Sequence, residues 1–381
     1  MPYRSLSTFS WTKSPLIANA PMSGIATSAL AAAVSLSGGL GLIGFLDSPH
    51  SLGEELRQAK SLLQNMDIKR PPKAESKSEA ESESASGFGS GSESGSADLL
   101  PVGVGIIVLG MKPSSFLPLL AQYKPALVWL SFGETQDFRH WTDSIRRTSP
   151  NTKVWVQLGS VRAALEVAQS CHPDALVLQG SDAGGHGHAR GSSIVTLLPE
   201  VADTLPQNGL DDIPLIAAGG IMDGRGVAAA LTLGAAGVVM GTRFLGALEA
   251  DLPEEYRREV LAASDGGEST VRSRAFDEMW GDNPWPKFYD GRCLRNLCYE
   301  DLESGMDVSE MRERLYWRIS MARSGQVSVR DTSSLWAGAG VGMLKEVKTA
   351  GDIVESVREE AKQRLQNTTS RYRAIKDGMR D

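Results

Sequence analysis

Residues 213–244 read IPLIAAGGIMDGRGVAAALTLGAAGVVMGTRF, and they hold two short apolar runs that are each followed closely by glycine. The runs Ile213–Ala217 and Gly237–Met240 have the length and composition of buried parallel strands, and a segment of helical periodicity separates them. This order of strand, helix and strand is typical of a βαβ unit. The stretch therefore predicts an α/β protein with a parallel sheet.

Six further apolar runs precede these two, and each is followed by a segment that has a helical pattern. The eight predicted strands are Leu16–Asn19, Leu40–Ile43, Val102–Val108, Ala126–Leu130, Lys153–Gln157, Ala175–Leu178, Ile213–Ala217 and Gly237–Met240. Eight such strands predict a (β/α)8 TIM barrel. A doubly wound open sheet is the alternative, but it usually has fewer strands and carries its phosphate-binding glycines after the first one. In this chain the suitable glycines come last.

The chain of 381 residues is longer than a barrel requires, so we expect a barrel with an appendage. Residues 1–250 hold the predicted barrel. Within them, residues 71–98 are rich in Ser, Glu and Gly and almost free of apolar side chains, which predicts a disordered surface insertion. Residues 251–345 have a mostly helical pattern. In residues 346–381 the apolar spacing from Ala350 to about Leu365 predicts a C-terminal helix that packs on the barrel.

Charge, the distribution of apolar residues and cysteine content lead to expectations about the partners and the location of the protein. Net charge is −7, from 39 basic and 46 acidic side chains, so we expect no nucleic acid or anionic lipid as partner. The longest uncharged run, residues 16–46, is interrupted by polar residues and glycines, so we expect no membrane span. Three cysteines without paired spacing favour a reducing compartment and a cytoplasmic location. Basic, hydroxyl-rich residues 1–14 make mitochondrial import the alternative.

Glycines follow both of the last two predicted strands, where (β/α)8 enzymes commonly bind a phosphate. Gly219 and Gly220 allow backbone N–H groups to approach a phosphate without a Cβ clash, and Asp223 is placed to cap the next helix. Gly241 and Thr242 offer further N–H groups and a hydroxyl. Each motif alone is also ordinary turn chemistry. Together, at these two strand ends, they predict a phosphate site.

The loop after the sixth predicted strand, residues 179–191, reads QGSDAGGHGHARG and exposes a histidine between glycines. Imidazole transfers protons readily near neutral pH, so His186 at the end of a barrel strand is the candidate general base. A structural role is assigned to His188. Because no third ligand lies at a convincing spacing from this pair, we expect no metal site.

The first predicted strand ends in APMSGIAT, residues 20–27. In one interpretation the backbone N–H of Met22 faces the edge of a ligand at this point. An ordinary turn is the alternative, because Pro21 followed closely by Gly24 is a common combination of residues that break regular structure.

Three stretches together resemble the nitronate monooxygenase family, formerly called 2-nitropropane dioxygenases. They are APMSGIATSALAAAVSLSGGLGLIG near the start, QGSDAGGHGHARG in the middle, and residues 213–250. Their order and spacing agree with that family from about Leu16 to Ala250, apart from the insertion. The resemblance implies a flavin barrel that holds FMN noncovalently and oxidises alkyl nitronates, sometimes nitroalkanes. The implied partners are this small-molecule substrate and molecular oxygen.

The resemblance also implies roles for individual residues. The family's catalytic histidine falls on His186. The implied flavin contacts are Pro21, Met22, Gln157, Gln179, Gly184 and Gly185, and the implied phosphate contacts are Gly219, Gly220, Gly241 and Thr242. The chain departs from the family at Asp182, where glutamate is usual before Ala-Gly-Gly-His. Its third predicted strand, VGVGIIV, also has no amide side chain for the flavin.

Two other functions remain open at this point. A flavin reductase resembling the enoyl-acyl-carrier reductases of the same superfamily shares the Ala-Gly-Gly-His loop but takes hydride from NAD(P)H. A barrel that binds flavin or a phosphorylated ligand without turnover is also open, since a fold alone does not establish an activity. Beyond Ala250, the aromatic cluster WGDNPWPKFYDG, residues 280–291, either covers the barrel mouth or forms a second small core.

Overall fold

The centre of the protein is a sheet of eight parallel strands, in a computed structural model that describes residues 9–64, 99–322 and 325–378. The strands of this sheet and of a smaller second sheet are, in chain order, β1 Leu16–Asn19, β2 Leu42–Ile43, β3 Leu100–Ile107, β4 Pro125–Ser131, β5 Lys153–Leu158, β6 Ala175–Gln179, β7 Gly185–His188, β8 Leu215–Ala218, β9 Gly237–Met240, β10 Thr270–Ser273 and β11 Tyr289–Leu294. Strands β7, β10 and β11 form the second sheet. The barrel order is β1-β9-β8-β6-β5-β4-β3-β2, and a bridge between Ala18 and Leu40 joins its two ends. The predicted (β/α)8 barrel is confirmed.

Helices alternate with the barrel strands and continue beyond them. They are α1 Ser28–Leu36, α2 Pro49–Leu63, α3 Leu117–Tyr123, α4 Thr135–Thr148, α5 Val161–Cys171, α6 Ile194–Gln207, α7 Gly224–Thr232, α8 Glu254–Ala262, α9 Gly266–Ser269, α10 Ala275–Glu278, α11 Leu297–Glu303, α12 Val308–Ala322 and α13 Ala350–Gly378. Asp223 caps α7 by accepting hydrogen bonds from the amides of Arg225 and Gly226, as its position in the sequence predicts.

Two hydrophobic cores follow from the alternation of side chains along each strand. Trp129 of β4 and Trp155 of β5 belong to the cluster inside the barrel. Their neighbours Val128 and Val156 belong to the cluster between the barrel and its helices. Because side chains fill the barrel interior, a ligand can bind only at one of its ends.

A small antiparallel sheet lies outside the barrel, where β11 pairs with both β10 and β7. Strand β7 lies within the glycine-rich stretch that follows β6, and His186 pairs with Gly291 of β11. The sequence predicts a loop for this stretch, because Gly-His-Gly-His has none of the apolar alternation that marks a strand. The sheet joins the candidate histidine to the chain segment that follows the barrel.

The last helix, α13, packs on α7 and α1 and continues well beyond the predicted end near Leu365. Its buried apolar side chains are Ala350, Ile353, Val354, Val357 and Ala361. Gly224 allows the close approach of α7, since a Cβ there would lie 2.4 Å from the backbone nitrogen of Ala361. Buried Arg358 donates hydrogen bonds to the carbonyls of Ser37 and Gly38, just beyond α1.

The remaining expectations concern the insertion, membrane spans and the cysteines. The predicted insertion at residues 71–98 lies outside the described residues. No helix in the described ranges has both the length and the apolar character needed to cross a membrane. All three cysteines, Cys171, Cys293 and Cys298, are buried and free.

Candidate active site

A cavity of about 540 Å³ lies at the carboxyl ends of the barrel strands. The eleven residues predicted to act in catalysis or to bind the flavin all line it: Pro21, Met22, Gln157, Gln179, Gly184, Gly185, His186, Gly219, Gly220, Gly241 and Thr242. They lie at or just beyond the ends of β1, β5, β6, β8 and β9, apart from Gly185 and His186, which lie in β7. The closed barrel brings these ends together, although the residues are spread over more than half of the chain.

His186 is held by a carboxylate from outside the barrel. Its Nε2 lies 2.8 Å from Oδ1 of Asp277 in α10, and the two side chains are only 16% and 10% exposed. The second oxygen, Oδ2 of Asp277, is buried and has no hydrogen-bond partner among the described residues. Asp277 could not be predicted from the sequence, because 91 residues separate it from His186 and no motif marks the short helix α10.

Aromatic rings surround the imidazole of His186. Trp285 stacks on it, with a distance of 4.0 Å between ring centroids and an interplanar angle of 18°. Trp336 lies 4.7 Å away, and Phe132 meets the imidazole edge-on at 6.3 Å. All three rings line the cavity. They restrict rotation of the imidazole and give the site apolar walls.

The aromatic cluster of residues 280–291 is divided between covering the cavity and packing. Trp285 lines the cavity, and the buried ring of Tyr289 packs against Phe132 at 5.3 Å and against His188 at the same distance. Trp280 is largely exposed. Trp285 thus lies on the cavity surface, whereas Tyr289 packs against Phe132 and His188.

A chain of amide hydrogen bonds fixes the backbone of His186. Gln157 Nε2 donates to Oε1 of Gln179 at 3.1 Å, and Gln179 Nε2 donates to the carbonyl oxygen of His186 at 2.9 Å. The two glutamines thus brace β7 against β5 and β6. Oε1 of Gln157 accepts no hydrogen bond from the described residues, so it is free to contact a ligand in the cavity.

The glycine motifs after β8 and β9 form a cradle of backbone N–H groups. Gly219 and Gly220 have φ angles of +101° and +73°, which a side chain would strain. The amides of Gly219, Gly220, Gly241 and Thr242 donate no hydrogen bond within the described ranges. Clustered N–H groups without protein acceptors at the edge of a cavity are suited to binding a phosphate.

The charge of the cavity depends on one residue. Within the described chain, His186 is the only titratable side chain that lines the cavity, and no lysine or arginine does. His188 lies outside this lining, and burial, together with the positive charge of Arg272, lowers its pKa. The described residues contain no group of three His, Cys, Asp or Glu side chains arranged to hold a metal ion.

Comparison with known proteins identifies relatives over nearly the whole chain. The profile of the nitronate monooxygenase family matches residues 117–360. Nitronate monooxygenase npaC of Metarhizium robertsii is 38% identical over 359 residues, which cover 92% of both chains. A nitronate monooxygenase of Neurospora crassa is 36% identical, over 94% of this chain and 92% of the relative.

Solved structures are similar over the same extent. FabK from Thermotoga maritima aligns with a TM-score of 0.66 and 26% identity, covering 93% of this chain and 94% of that protein. Nitroalkane oxidase from Streptomyces ansochromogenes aligns with a TM-score of 0.67 and 23% identity, covering 96% and 100% of the two chains. At this identity, the second similarity shows a common fold alone.

Proposed function

Because the chain belongs to the nitronate monooxygenase family, a family of oxidoreductases, we propose that it is an FMN-dependent enzyme that oxidises alkyl nitronates with molecular oxygen. Neutral nitroalkanes are further candidate substrates. The proposal rests on one observation: His186 and the cradle of free backbone N–H groups line the same cavity. A catalytic imidazole and a phosphate-binding surface at the same barrel end are what a flavin enzyme of this fold requires.

The residues present fit FMN. The cavity of about 540 Å³ lies within the usual range for cofactor sites. The amides of Gly219, Gly220, Gly241 and Thr242 would hold the phosphate, while Pro21, Met22, Gln157, Gly184 and Gly185 would border the isoalloxazine. When bound, the flavin supplies the capacity to accept electrons from an organic substrate and to pass them to oxygen.

His186 binds the substrate and, where necessary, moves its proton. A nitronate is an anion, and the imidazolium of His186 is the only cationic side chain that the described lining can offer it. A charge-assisted hydrogen bond from this group holds the nitronate in place. A neutral nitroalkane must first lose its α-proton, and the neutral imidazole of His186 accepts that proton.

The aromatic walls exclude water from the reacting groups. Trp285, Trp336 and Phe132 lie on the cavity surface around His186. Their apolar surface strengthens the interaction between imidazolium and nitronate, because electrostatic attraction is greater where water is excluded.

A visible spectrum of the purified protein, followed by anaerobic additions of ethyl nitronate and of NADPH, tests this function. We expect a flavin spectrum that nitronate bleaches and NADPH leaves unchanged. Bleaching by NADPH alone would instead indicate the reductase. A colourless protein that does not bind added FMN would exclude both flavin functions, and bound flavin that neither compound bleaches would indicate a binding protein without turnover.

Two histidine variants make the test specific. His186→Asn is expected to retain FMN and to lose activity with a neutral nitroalkane by a factor of about 10² to 10⁴, the usual contribution of a general base. His188→Asn is the matched control, because His188 lies on the same strand but does not line the cavity. An equal loss in both variants would argue against a specific role of His186.

A further inference from the structure

The two ring nitrogens of His186 have different surroundings. Nε2 lies 2.8 Å from Oδ1 of Asp277, whereas Nδ1 forms no hydrogen bond with any described residue. A neutral imidazole carries its proton on one nitrogen, and a carboxylate can only accept a hydrogen bond. The pair is therefore satisfied when Nε2 carries the proton, and this state leaves a lone pair on Nδ1.

We propose that Asp277 is the positioning residue of this site: it holds His186 in the Nε2–H tautomer, so that Nδ1 is the nitrogen that exchanges a proton with the substrate. The proposal deepens the proposed function and rests on it for the identity of the substrate. It identifies Nδ1 of His186 as the reacting atom and gives Asp277, which lies outside the barrel, the role of orienting His186.

Packing around the imidazole supports the assignment of the reacting atom. The ring of His186 is stacked on Trp285 at 4.0 Å and approached by Trp336 at 4.7 Å. To present Nε2 to the cavity, the ring would have to turn over between these two indoles and give up its bond to Asp277. The observed orientation thus has three restraints, namely two aromatic contacts and one hydrogen bond to a carboxylate.

The carboxylate of Asp277 lacks a full set of hydrogen-bond partners within the described chain. Oδ2 is buried and has no partner among the described residues, so the carboxylate is incompletely neutralised by hydrogen bonds. A buried, under-solvated negative charge favours a positive charge on the group next to it. When Nδ1 of His186 takes a proton from the substrate, the positive charge that forms lies next to this carboxylate. The arrangement has the same logic as the carboxylate that orients and stabilises the histidine of a catalytic triad.

With a neutral nitroalkane, His186 removes the proton from the α-carbon. The α-carbon–hydrogen bond breaks, and its electron pair delocalises into the nitro group to form the nitronate. The proton passes to Nδ1 of His186, and the resulting imidazolium donates from Nε2 to Asp277. A substrate supplied as the nitronate does not require this step. Loss of the Asp277 charge should therefore affect the neutral substrate more than the anionic one.

The tautomer can be measured without turnover. The chain has five histidines, so ¹⁵N-histidine labelling of the purified protein gives few signals, and His186→Gln assigns the relevant one. At mildly alkaline pH we expect Nε2–H for His186 in the wild type, and a mixed or reversed tautomer in Asp277→Asn. A wild-type signal from Nδ1–H would overturn the proposal, whatever the activity of the enzyme.

Kinetics with a matched pair of substrates gives the second test. Asp277→Asn is expected to lower kcat/KM for nitroethane by about 100-fold or more, and for ethyl nitronate by less than about 10-fold. The exposed Asp282, five residues further along the chain, supplies the control variant Asp282→Asn, which should leave both values unchanged. An equal loss on both substrates would show that Asp277 serves only the structure and would overturn the proposal.

The two tests separate this inference from the proposed function. If the wild type oxidises neither nitroethane nor its nitronate, the proposed function fails, and the tautomer measurement still decides whether Asp277 sets the protonation of His186. If the nitronate alone is oxidised, the proposed function holds, and the tautomer measurement decides whether Asp277 sets the protonation of His186.

Discussion

Gly219 is the cradle residue whose backbone leaves least room for substitution. Its φ is +101°, and a Cβ would lie 2.8 Å from the carbonyl oxygen of Gly180 at the end of β6. We expect Gly219→Ala to displace this turn and to lower both FMN retention and the free energy of unfolding. Flavin content and urea unfolding measure the two effects.

Gly209 provides the control for this substitution. It also has positive φ, +71°, but a Cβ there would meet no atom within 4 Å. Gly209→Ala should therefore cost only the conformational strain of about 1–2 kcal/mol and should retain FMN. Equal flavin content in the two variants would contradict the assignment of Gly219 to the cradle.

His188 makes folding sensitive to mild acid. Its folded-state pKa is lowered, mainly by burial, so it stays neutral in the folded protein while the unfolded chain takes up a proton at the ordinary pKa. Below about pH 6.5 the unfolded state thus binds more protons, and the free energy of unfolding falls. In His188→Gln we expect a smaller decrease between about pH 7 and about pH 5.5, measured by urea unfolding.

The exposed His140 in α4 is the matched control for His188. His140→Gln should leave the dependence of stability on pH as it is in the wild type. An unchanged pH dependence in His188→Gln would show that other groups are responsible for the loss in acid.

Residues at strand ends were predictable from the sequence, and Asp277 was not. His186 and Gly219 follow predicted strands, and parallel strands of a closed barrel end on the same side. Their convergence in one cavity therefore follows from the fold class alone. Asp277 lies in a four-residue helix in a region of irregular structure, and its contact with His186 depends on how that region folds back.

At the scale of elements, the barrel strands were predictable because each is a run of buried apolar residues. The predicted and observed bounds of β1 and β9 coincide, and those of the other six differ by one or two residues at strand ends. Strand β7 was not predictable. Its glycines contribute no apolar pattern, and its partner β11 is about one hundred residues away, so only tertiary pairing defines it.

Besides its apolar packing on α7 and α1, helix α13 is held to the barrel by the buried cation of Arg358. Arg358 is 3% exposed and donates to the carbonyls of Ser37 and Gly38 just beyond the end of α1, and the Ser37 carbonyl has no other donor among the described residues. We expect Arg358→Ala to lower the free energy of unfolding by about 3 kcal/mol, because it removes two charged hydrogen bonds and leaves the Ser37 carbonyl without a donor. Urea unfolding followed by circular dichroism measures the change.

Arg364 on the same helix is the control, because it is exposed and forms only a surface ion pair with Glu360 at 3.5 Å. Arg364→Ala should cost about 0.5 kcal/mol or less. If the two variants unfold alike, Arg358 does not hold α13 on the barrel.

For the whole molecule, the cavity belongs jointly to the barrel and to the chain that follows it. The Thr242 hydroxyl accepts a hydrogen bond from the amide of Gly338 at 2.9 Å, and the Asp182 carbonyl accepts one from the amide of Ala339 at the same distance. Trp285 and Trp336 complete the cavity surface. A ligand in this cavity contacts both parts of the molecule, so its binding should stabilise them together.

Comparison of FMN with riboflavin tests this linkage and the phosphate cradle in one experiment. If the amides of Gly219, Gly220, Gly241 and Thr242 bind the phosphate, two charge-assisted hydrogen bonds alone contribute about 3 kcal/mol, or about 100-fold in Kd. At equal concentration, FMN should therefore raise the melting temperature of the flavin-free protein more than riboflavin does, and the rise should grow with FMN concentration. A single transition would show that the barrel and its cover unfold as one unit. Equal shifts with the two flavins would exclude the cradle as the phosphate site, because riboflavin has the same ring system and lacks only the phosphate.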